Sequence, residues 1–378
     1  MDVTYRPVTR DDRRAISSLA ARAFGVAGRF MVSLEEGGHV AERDGTVLGA
    51  TVLTTFRAGG RRYGLTSWVM VAPQARGLGI ASRLIDLAHE WFREREVDAT
   101  LALIEGYNQS SSKIFGGLGY RRLRPVDQLR VFGGGLPLVW LKSFLVVSIG
   151  HFLWYRPADG ERADGEPVRE PGSPPASPAM RSAISWFGSL LFNALVIWIL
   201  MLRWDVSVPL AWTLLVVAAV PVVLLGSRSG LFVIAASLGG MRTRFRSWEG
   251  GSPLALAIAA VFGGYLPLPG SHYPAEEPYR YTDVLPALGP ASLAALTGPL
   301  GALIAARAVL LFAGPIGLAD LLLEVFGSVA TLHVVIELLP FFPLWGTAGH
   351  QVWRWSRAWW CVVAVLVAAV VAIPFVMA

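Results

Sequence analysis

The chain has 378 residues, 54% of them hydrophobic, and a formal net charge of +6, so its length allows two domains. Residues 1–135 carry 19 Lys/Arg against 14 Asp/Glu, which is most of the positive charge. Because no basic helix or aromatic-basic pattern accompanies that charge, we expect no nucleic-acid partner. The single Cys361 excludes a disulfide framework and a cysteine-based metal site.

The first part of the chain alternates strand and helix patterns, which predicts an α/β fold. Residues 9–12 are predicted to cap a helix over about 11–24. Further helices are predicted at 77–96 and 109–117. Strands are predicted at 3–7, 38–44, 46–57, 62–71, 99–104 and 120–132, and the glycines at 133–135 are predicted to end the domain.

The second part of the chain contains apolar stretches near the ~20 residues that cross a bilayer. We predict a first apolar membrane segment at 134–155, a Pro/Gly-rich linker at 156–181, and an all-α multi-span transmembrane domain at 182–378. The predicted spans are 136–155, 183–202, 206–225, 253–268, 290–313, 316–339 and 358–377, with 229–241 as half a span. No secretory signal pattern opens the chain. We therefore expect a multi-pass protein of the cytoplasmic (plasma) membrane, with its first domain in the cytoplasm.

Residues 71–82 contain the most informative pattern of the chain. A strand pattern ends at Pro73, a loop with Gly77 and Gly79 follows, and an amphipathic helix begins at once. Backbone N–H groups at such a helix start, together with glycines that allow close approach, suit a pyrophosphate group. An ordinary strand-to-helix turn is the alternative interpretation of the glycines taken alone.

The context of this loop resembles the GNAT superfamily of N-acetyltransferases. Arg76, Gly79 and Ala81 match its motif Arg/Gln-x-x-Gly-x-Gly/Ala, after the usual Val-x-Pro at 71–73. Residues 107–115, followed by a Gly-Tyr pair at 119–120, resemble its second signature. The resemblance covers 1–132 and implies a GNAT domain at 1–133 with a mixed central sheet flanked by helices. It also implies acetyl-CoA as acyl donor and an amine as acceptor.

The resemblance further implies the residues that bind the cofactor. Backbone amides after the loop would bind the pyrophosphate, the strand before it would pair with the pantetheine, and an Asn and a Ser would line the thiol end. The cofactor-binding residues so implied are Val69, Val71, Arg76, Gly77, Leu78, Gly79, Ile80, Ala81, Ser82, Asn108 and Ser111.

Acyl transfer to an amine needs a base for the amine proton and an acid for the departing thiolate. Relatives often place a Glu four residues before the Val of Val-x-Pro and a Tyr seven residues after the Asn. Ser67 and Phe115 occupy those positions here. Glu105, at the end of a predicted buried strand, is the preferred catalytic candidate, and Tyr107 is the second.

Two further carboxylates, Glu35 and Glu36, lie in the loop expected over the acceptor site. A solvated structural role is the alternative interpretation for these candidates and for Tyr107.

In the membrane half, His333 and Glu337 are four residues apart in an apolar stretch, so both project from one helix face. They could share a zinc ion. A hydrogen-bonded pair within the membrane is the interpretation we favour, because no third ligand is evident.

Residues 337–346 resemble the site-2 protease motif Asn-x-x-Pro-x-x-Pro-x-Asp-Gly, and 298–303 and 244–248 resemble other segments of that family of intramembrane zinc proteases. Trp345 occupies the position of the metal-binding Asp, and the chain has no HExxH, whose expected place is near 228–232. The resemblance therefore implies a degenerate protease-like domain that lacks the zinc ligands, and we expect no metal.

Three hypotheses follow. The first is a membrane-anchored N-acetyltransferase acting on an amine at the bilayer, either a lipid headgroup, an amino-sugar or a protein N-terminus. The second is a non-catalytic acetyl-CoA sensor coupled to a pseudoprotease that binds membrane proteins. The third is an active metalloprotease using His333, Glu337 and either His272 or His350.

Overall fold

The computed structural model describes residues 3–24, 32, 37–158, 177–248, 250–267, 270–313, 316–341 and 344–377. Of these, residues 374–377 are described by their backbone alone. The chain divides into two compact units. The first comprises Met1–Val146 and His151–Ser173, and the second comprises Val147–Gly150 and Pro174–Ala378. The candidates Glu35 and Glu36 lie outside the described residues.

The first unit is built on a mixed sheet, which has seven strands in the described part of the chain, in the order β1-β2-β3-β4-β5-β7-β6. The β4–β5 pair is parallel and the other neighbouring pairs are antiparallel. The strands are β1 (Thr4–Pro7), β2 (His39–Arg43), β3 (Thr46–Ala58), β4 (Arg61–Val71), β5 (Ala99–Glu105), β6 (Arg121–Arg122) and β7 (His151–Pro157).

Helices flank this sheet, as the sequence predicts. They are α1 (Arg13–Phe24), α2 (Ile80–Arg93), α3 (Gln109–Gly117), α4 (Pro125–Phe132) and α5 (Leu136–Lys142). The predicted cap before α1 is confirmed: the Thr9 N–H donates to Asp12 Oδ2 at 2.8 Å. On α2, the buried residues Ile80, Leu84 and Ala88 recur at helical spacing, so the amphipathic face predicted for this helix packs on the sheet.

Two predictions for residues 120–155 are wrong. The strand predicted at 120–132 has only two residues, because Pro125 begins α4. The segment 134–155 is not a membrane span, because it contains α5 and most of β7, and β7 pairs with β5 along its whole length. The linker predicted at 156–181 overlaps regular structure at both ends, since β7 ends at Pro157 and α6 begins at Pro178, while its residues 159–176 lie outside the described ranges.

The second unit is mainly helical, as predicted. Its helices are α6 (Pro178–Arg203), α7 (Leu210–Leu238), α8 (Gly251–Ala257), α9 (Tyr281–Phe312), α10 (Leu318–Leu338), α11 (Ala348–Trp355) and α12 (Arg357–Met377). Two short strands, β8 (Thr243–Arg246) and β9 (Ser271–Pro274), pair antiparallel. Among the described residues, four helices are long and apolar enough to cross a membrane, namely α6, α7, α9 and α10.

Some predicted span boundaries are wrong. The stretches 206–225 and 229–241 form one helix, α7, which continues through Pro221. The stretch 290–313 belongs to α9, which begins earlier, at Tyr281. In the described part of the stretch 253–268, α8 is followed by one helical turn that ends at Phe262, and the helix Gly251–Phe262 is too short for a span.

The sheet topology predicts where the first unit can be cut. A fragment of residues 1–158 keeps β7 and is expected to unfold cooperatively. A fragment of residues 1–133 lacks β7 and is expected to be less stable. The shorter fragment also loses the buried Leu153 and Val139, each contributing about 1.5–3 kcal/mol when buried. Thermal unfolding followed by circular dichroism measures the difference. A cooperative transition of equal midpoint in both fragments would contradict the boundary.

Candidate functional site

The centre of the first unit is a place where two paired strands separate. The parallel pairing of β4 with β5 ends at Thr66 and Ala102, although β4 continues to Val71 and β5 to Glu105. The separation coincides with a bulge, because the β3–β4 register passes from Val52–Trp68 to Leu53–Thr66. Ser67 is the extra residue at this bulge. The facing backbone groups of the two strand ends are therefore available to a third, extended group.

The predicted glycine loop leads from the end of β4 into α2. Gly77 and Gly79 have φ angles of 82° and 75°, in the left-handed region that only glycine adopts at little cost. A Cβ atom on either glycine would meet no described atom within 4 Å, so the space above the loop is open. Gly79 is the N-cap of α2. The amides of the first turn, from Ile80 onward, therefore lack intrahelical acceptors and point at that space.

This geometry fits the pyrophosphate-binding role that the sequence predicts. Leu78, between the two glycines, is 58% exposed, and Arg76 is exposed beside it. The strand residues implied in pantetheine pairing, Val69 and Val71, lie in the part of β4 that extends beyond its pairing with β5. The glycine loop follows this part of β4 directly along the chain.

Glu105, the last residue of β5, is buried at the opposite edge of the same gap. The Tyr107 N–H donates to its Oε2 at 3.0 Å, while its Oε1 has no hydrogen-bond partner among the described residues. Burial raises the pKa of Glu105 to about 8, and nearby backbone N–H groups lower it only in part. Glu105 is therefore mostly protonated at pH 7 and loses its proton as the pH rises through about 8.

The start of α3 brings the other candidates close to Glu105. The Asn108 N–H donates to the Glu105 carbonyl at 2.9 Å. The Asn108 side chain is the N-cap of α3 and accepts from the Ser111 N–H at 3.1 Å. Tyr107, between Glu105 and Asn108, is buried. The structure therefore places the catalytic and thiol-end candidates in one turn.

Phe115 belongs to the apolar core of the first unit. It is buried and packs edge-on against Tyr120, with ring centroids 5.0 Å apart. The same cluster contains Ile104 and is contacted by Val69. A phenylalanine ring has no proton to donate, so this position contributes packing alone.

A partly buried polar network that the sequence did not indicate lies beside this cluster. His89 Nε2 is 3.0 Å from the Tyr120 hydroxyl, and its Nδ1 is 3.1 Å from Arg156 Nη1. Because a guanidinium only donates, Nδ1 must accept, so Nε2 carries the hydrogen and donates to Tyr120. Burial and the neighbouring Arg156 lower the pKa of His89 to about 4. The signal was missed because Arg156 was predicted to lie in the linker rather than in β7.

The second unit contains a buried ion pair on the helix face where the sequence indicated a polar pair of His333 and Glu337. Arg228 Nη2 lies 3.2 Å from Glu337 Oε1, and both side chains are buried. The Ala348 N–H also donates to Glu337 Oε2 at 3.2 Å. His333 is buried on the same helix, but neither of its ring nitrogens has a hydrogen-bond partner among the described residues. The favoured His333–Glu337 pair is therefore wrong, because Arg228 neutralises the carboxylate instead.

Side chains form hydrogen bonds with the backbone carbonyl groups at the end of α10 and just after it. The Trp360 Nε1–H donates to the Leu338 carbonyl at 2.9 Å, and the Thr347 hydroxyl donates to the Leu339 carbonyl at 2.9 Å. His350 Nδ1 lies 2.8 Å from the Pro340 carbonyl oxygen. Side chains thus satisfy three carbonyls at the end of a helix, where intrahelical donors run out.

The proposed metal ligands are not brought together. His272 stacks on Phe232, with ring centroids 5.1 Å apart, while His350 contacts the Pro340 carbonyl. Within the described ranges, no group of three or more His, Cys, Asp or Glu side chains is placed to hold a metal ion.

The buried ion pair is testable by a double-mutant cycle. Arg228→Met or Glu337→Leu alone leaves a buried charge without its partner, so each is expected to cost about 3–5 kcal/mol of stability. The double variant removes both charges and is expected to be more stable than either single variant. Thermal unfolding of the full chain in detergent provides the measurement. Additive losses would show that the two charges do not interact.

Comparison with known proteins agrees with the fold of the first unit. The family model described as "Acetyltransferase (GNAT) family" matches residues 13–120, whereas the curated proteins gave no match. Many solved structures are similar to the chain, and three of them are compared with it here. The ribosomal-protein-S18-alanine N-acetyltransferase of Escherichia coli is 10% identical, over 42% of this chain and 94% of that chain, with a TM-score of 0.31. A ribosomal-protein-alanine N-acetyltransferase of Brucella melitensis is 23% identical, over 41% and 99%, with a TM-score of 0.29.

The third is N-acetylglutamate synthase of Neisseria gonorrhoeae, solved with coenzyme A and N-acetyl-glutamate. It is 17% identical, over 42% of this chain and 35% of that chain, with a TM-score of 0.32. The match of the family model covers α1, the strands β2 to β5, the glycine loop, α2 and α3, whereas β1, β6 and β7 lie outside it. Residues 13–120 therefore form a domain of the GNAT acetyltransferase family.

Proposed function

We propose that this chain is a membrane-anchored N-acyltransferase that transfers an acetyl group from acetyl-CoA to an amine at or near the membrane. The observation that carries the proposal is the gap between β4 and β5. An anion-binding loop with Gly77 and Gly79 lies at one end of it, and the buried carboxyl of Glu105 lies at the other edge. Both features are needed for transfer from a thioester whose carrier bears a pyrophosphate.

Binding of the donor would use the backbone of the loop and of the strand. The amides from Leu78 to Ser82 would donate to the pyrophosphate at the positive end of the α2 dipole. The part of β4 that extends beyond its pairing with β5 would hydrogen-bond the pantetheine as a further strand would. Asn108 and Ser111, joined by the α3 cap, would line the thiol end. Acetyl-CoA supplies an activated acetyl group as a thioester.

The transfer step forms one bond and breaks another. The amine nitrogen attacks the thioester carbonyl carbon, the new N–C bond forms, the C–S bond breaks, and the leaving thiolate takes up a proton. Glu105 would accept the amine proton, directly or through a water, because its pKa of about 8 lies near the working pH. Tyr107, whose N–H is bonded to Glu105, would be the proton donor to the thiolate.

The apolar helices of the second unit support a membrane location. Four helices long and apolar enough to cross a membrane follow the GNAT domain, and acetyl-CoA is a cytoplasmic donor. We therefore place the chain in the cytoplasmic membrane with the GNAT domain in the cytoplasm. An amine of a lipid headgroup, of a lipid-linked amino-sugar or of a membrane protein would then be held near the domain.

A non-catalytic acetyl-CoA sensor is the second candidate function. It is favoured by Phe115, which is core packing where relatives carry a tyrosine, and by Ser67, which occupies the bulge. In this alternative the membrane unit is a pseudoprotease that binds membrane proteins. Arg228 and Glu337 support such a non-catalytic unit, because an ion pair occupies the polar face where a metal would need free ligands. Acetyl-CoA would then bind without turnover.

The pH dependence of CoA release tests the enzyme proposal. Below about pH 8 Glu105 keeps its proton and cannot accept another, and above it the carboxylate is free to do so. We therefore expect kcat/KM to rise as the pH passes through about 8. Glu105→Gln should lower kcat/KM by roughly 10²-fold and abolish that rise. A panel of amines should include an aromatic amine that is neutral throughout the range, so that the acceptor itself does not titrate.

The stability of Glu105→Gln provides the control. Burial raises the pKa of Glu105 above its ordinary value of 4.5, so the wild-type unit loses stability as the pH rises from that value to about 8. The glutamine variant has no carboxyl to ionise and should be no less stable at high pH. An unchanged rate and profile in this variant would remove Glu105 from the mechanism. Binding of acetyl-CoA without CoA release for any amine would favour the sensor.

A further inference from the structure

The chain inserts two helices, α4 and α5, between the last two strands of the sheet. One side of this insertion is buried against β4, β5 and β7, and a hydrogen bond of 2.7 Å from Trp140 Nε1 to Gln128 Oε1 joins the two helices. The buried residues on this side include Phe132, Leu136 and Val139. The insertion is therefore an integral part of the first unit and has a defined outer side.

The outer side of the insertion is apolar as well. Leu129 is 58% exposed, and Leu141 and Phe144 are each 62% exposed. We call these residues, together with Val126 and Leu138, the insertion patch. Elsewhere in the described part of the first unit, Leu78 of the glycine loop is the single large apolar side chain that is comparably exposed. A soluble surface rarely concentrates apolar groups in this way unless something covers them.

Two exposed basic residues, Arg130 and Lys142, lie on the helices that carry the insertion patch. Residues 121–142 contain five Lys or Arg and one acidic residue, Asp127, which pairs with Arg124 at 2.7 Å. An apolar side accompanied by cations on the same helices is the composition of helices that lie in the interface of an anionic bilayer.

We propose that the insertion patch binds the surface of an anionic lipid bilayer. A bilayer is the partner that the rest of the chain brings within reach. The first unit's last strand ends at Pro157, and the first long apolar helix begins at Pro178. Even fully extended, the chain between these two residues reaches only about 70 Å. The positive charge on the helices of the patch matches an anionic headgroup layer. This proposal does not depend on acetyl transfer, because it follows from exposed side chains outside the acyl-CoA site.

Binding of the insertion patch to a bilayer would fix the orientation of the first unit relative to the membrane surface. The insertion packs on the side of the sheet toward which Tyr63 and Leu65 project, whereas α2 contacts the opposite side, where Phe92 lies against Gly64. Lipid contact through α4 and α5 would leave α2 on the side away from the headgroups.

Site-specific fluorescence on the full chain tests the proposal. The exposed Cys361 is replaced by Ser, and Leu141→Cys or Leu129→Cys is labelled with an environment-sensitive dye. Glu90→Cys, exposed on α2, is the matched control. Each protein is reconstituted into phosphatidylcholine vesicles with or without about a quarter of phosphatidylglycerol, and quenching by brominated lipids is compared with quenching by aqueous acrylamide.

We expect the dye at 141 or 129 to be quenched by brominated lipid about threefold more than the dye at 90, with the difference larger in anionic vesicles. Adding Arg130→Gln and Lys142→Gln should reduce that difference. Equal lipid quenching at all three positions would overturn the proposal. Protection of 141 from both quenchers would overturn it too, because a protein surface would then cover the patch.

Discussion

The early end of the β4–β5 pairing is the constraint on which the first unit depends. The two strands continue beyond Thr66 and Ala102 without pairing to each other, and backbone groups that face such a gap are costly unless something satisfies them. β5 is held on its other edge by β7 up to Glu105. β4 is likewise held on its other edge by β3 up to Val71, so the sheet stays intact on both sides of the gap.

The helices that follow these strands use the same gap. α2 begins after the glycine loop that follows β4, and α3 begins after the turn that follows β5. Two helix N-termini therefore lie at the ends of separated strands, and the amides in the first turn of α2 lack intrahelical acceptors. Glu105 is kept neutral by burial at the same place, which makes one gap suited to an anion at one end and to proton transfer at the other.

The sequence predicted the loop, strand and helix that border this gap, but it did not predict β7, which completes the sheet beside β5. The loop glycines, the following helix and the strand ending at Glu105 follow from local signals, since chain turns and helix starts have their own residue preferences. β7 was missed because residues 136–155 are as apolar as a membrane span, and a buried strand beside packed helices has the same composition. The burial of Glu105 could not be predicted, because it depends on strands that are distant in sequence. The ion pair of Arg228 with Glu337 was missed for the same reason, since the two residues lie on different helices.

The central claim is that the loop before α2 binds acetyl-CoA through its left-handed glycines, and the affinity of Gly79→Ala tests it most directly. Gly45, in the β2–β3 turn, is the matched control, because its φ of 73° is close to the 75° of Gly79 and a Cβ at either meets nothing within 4 Å. Alanine at each position adds about 1–2 kcal/mol of backbone strain, but only one of them lies in the loop.

Isothermal titration of the full chain with acetyl-CoA should therefore show about a tenfold loss of affinity for Gly79→Ala and an unchanged affinity for Gly45→Ala. Equal affinities in wild type and both variants would contradict the account.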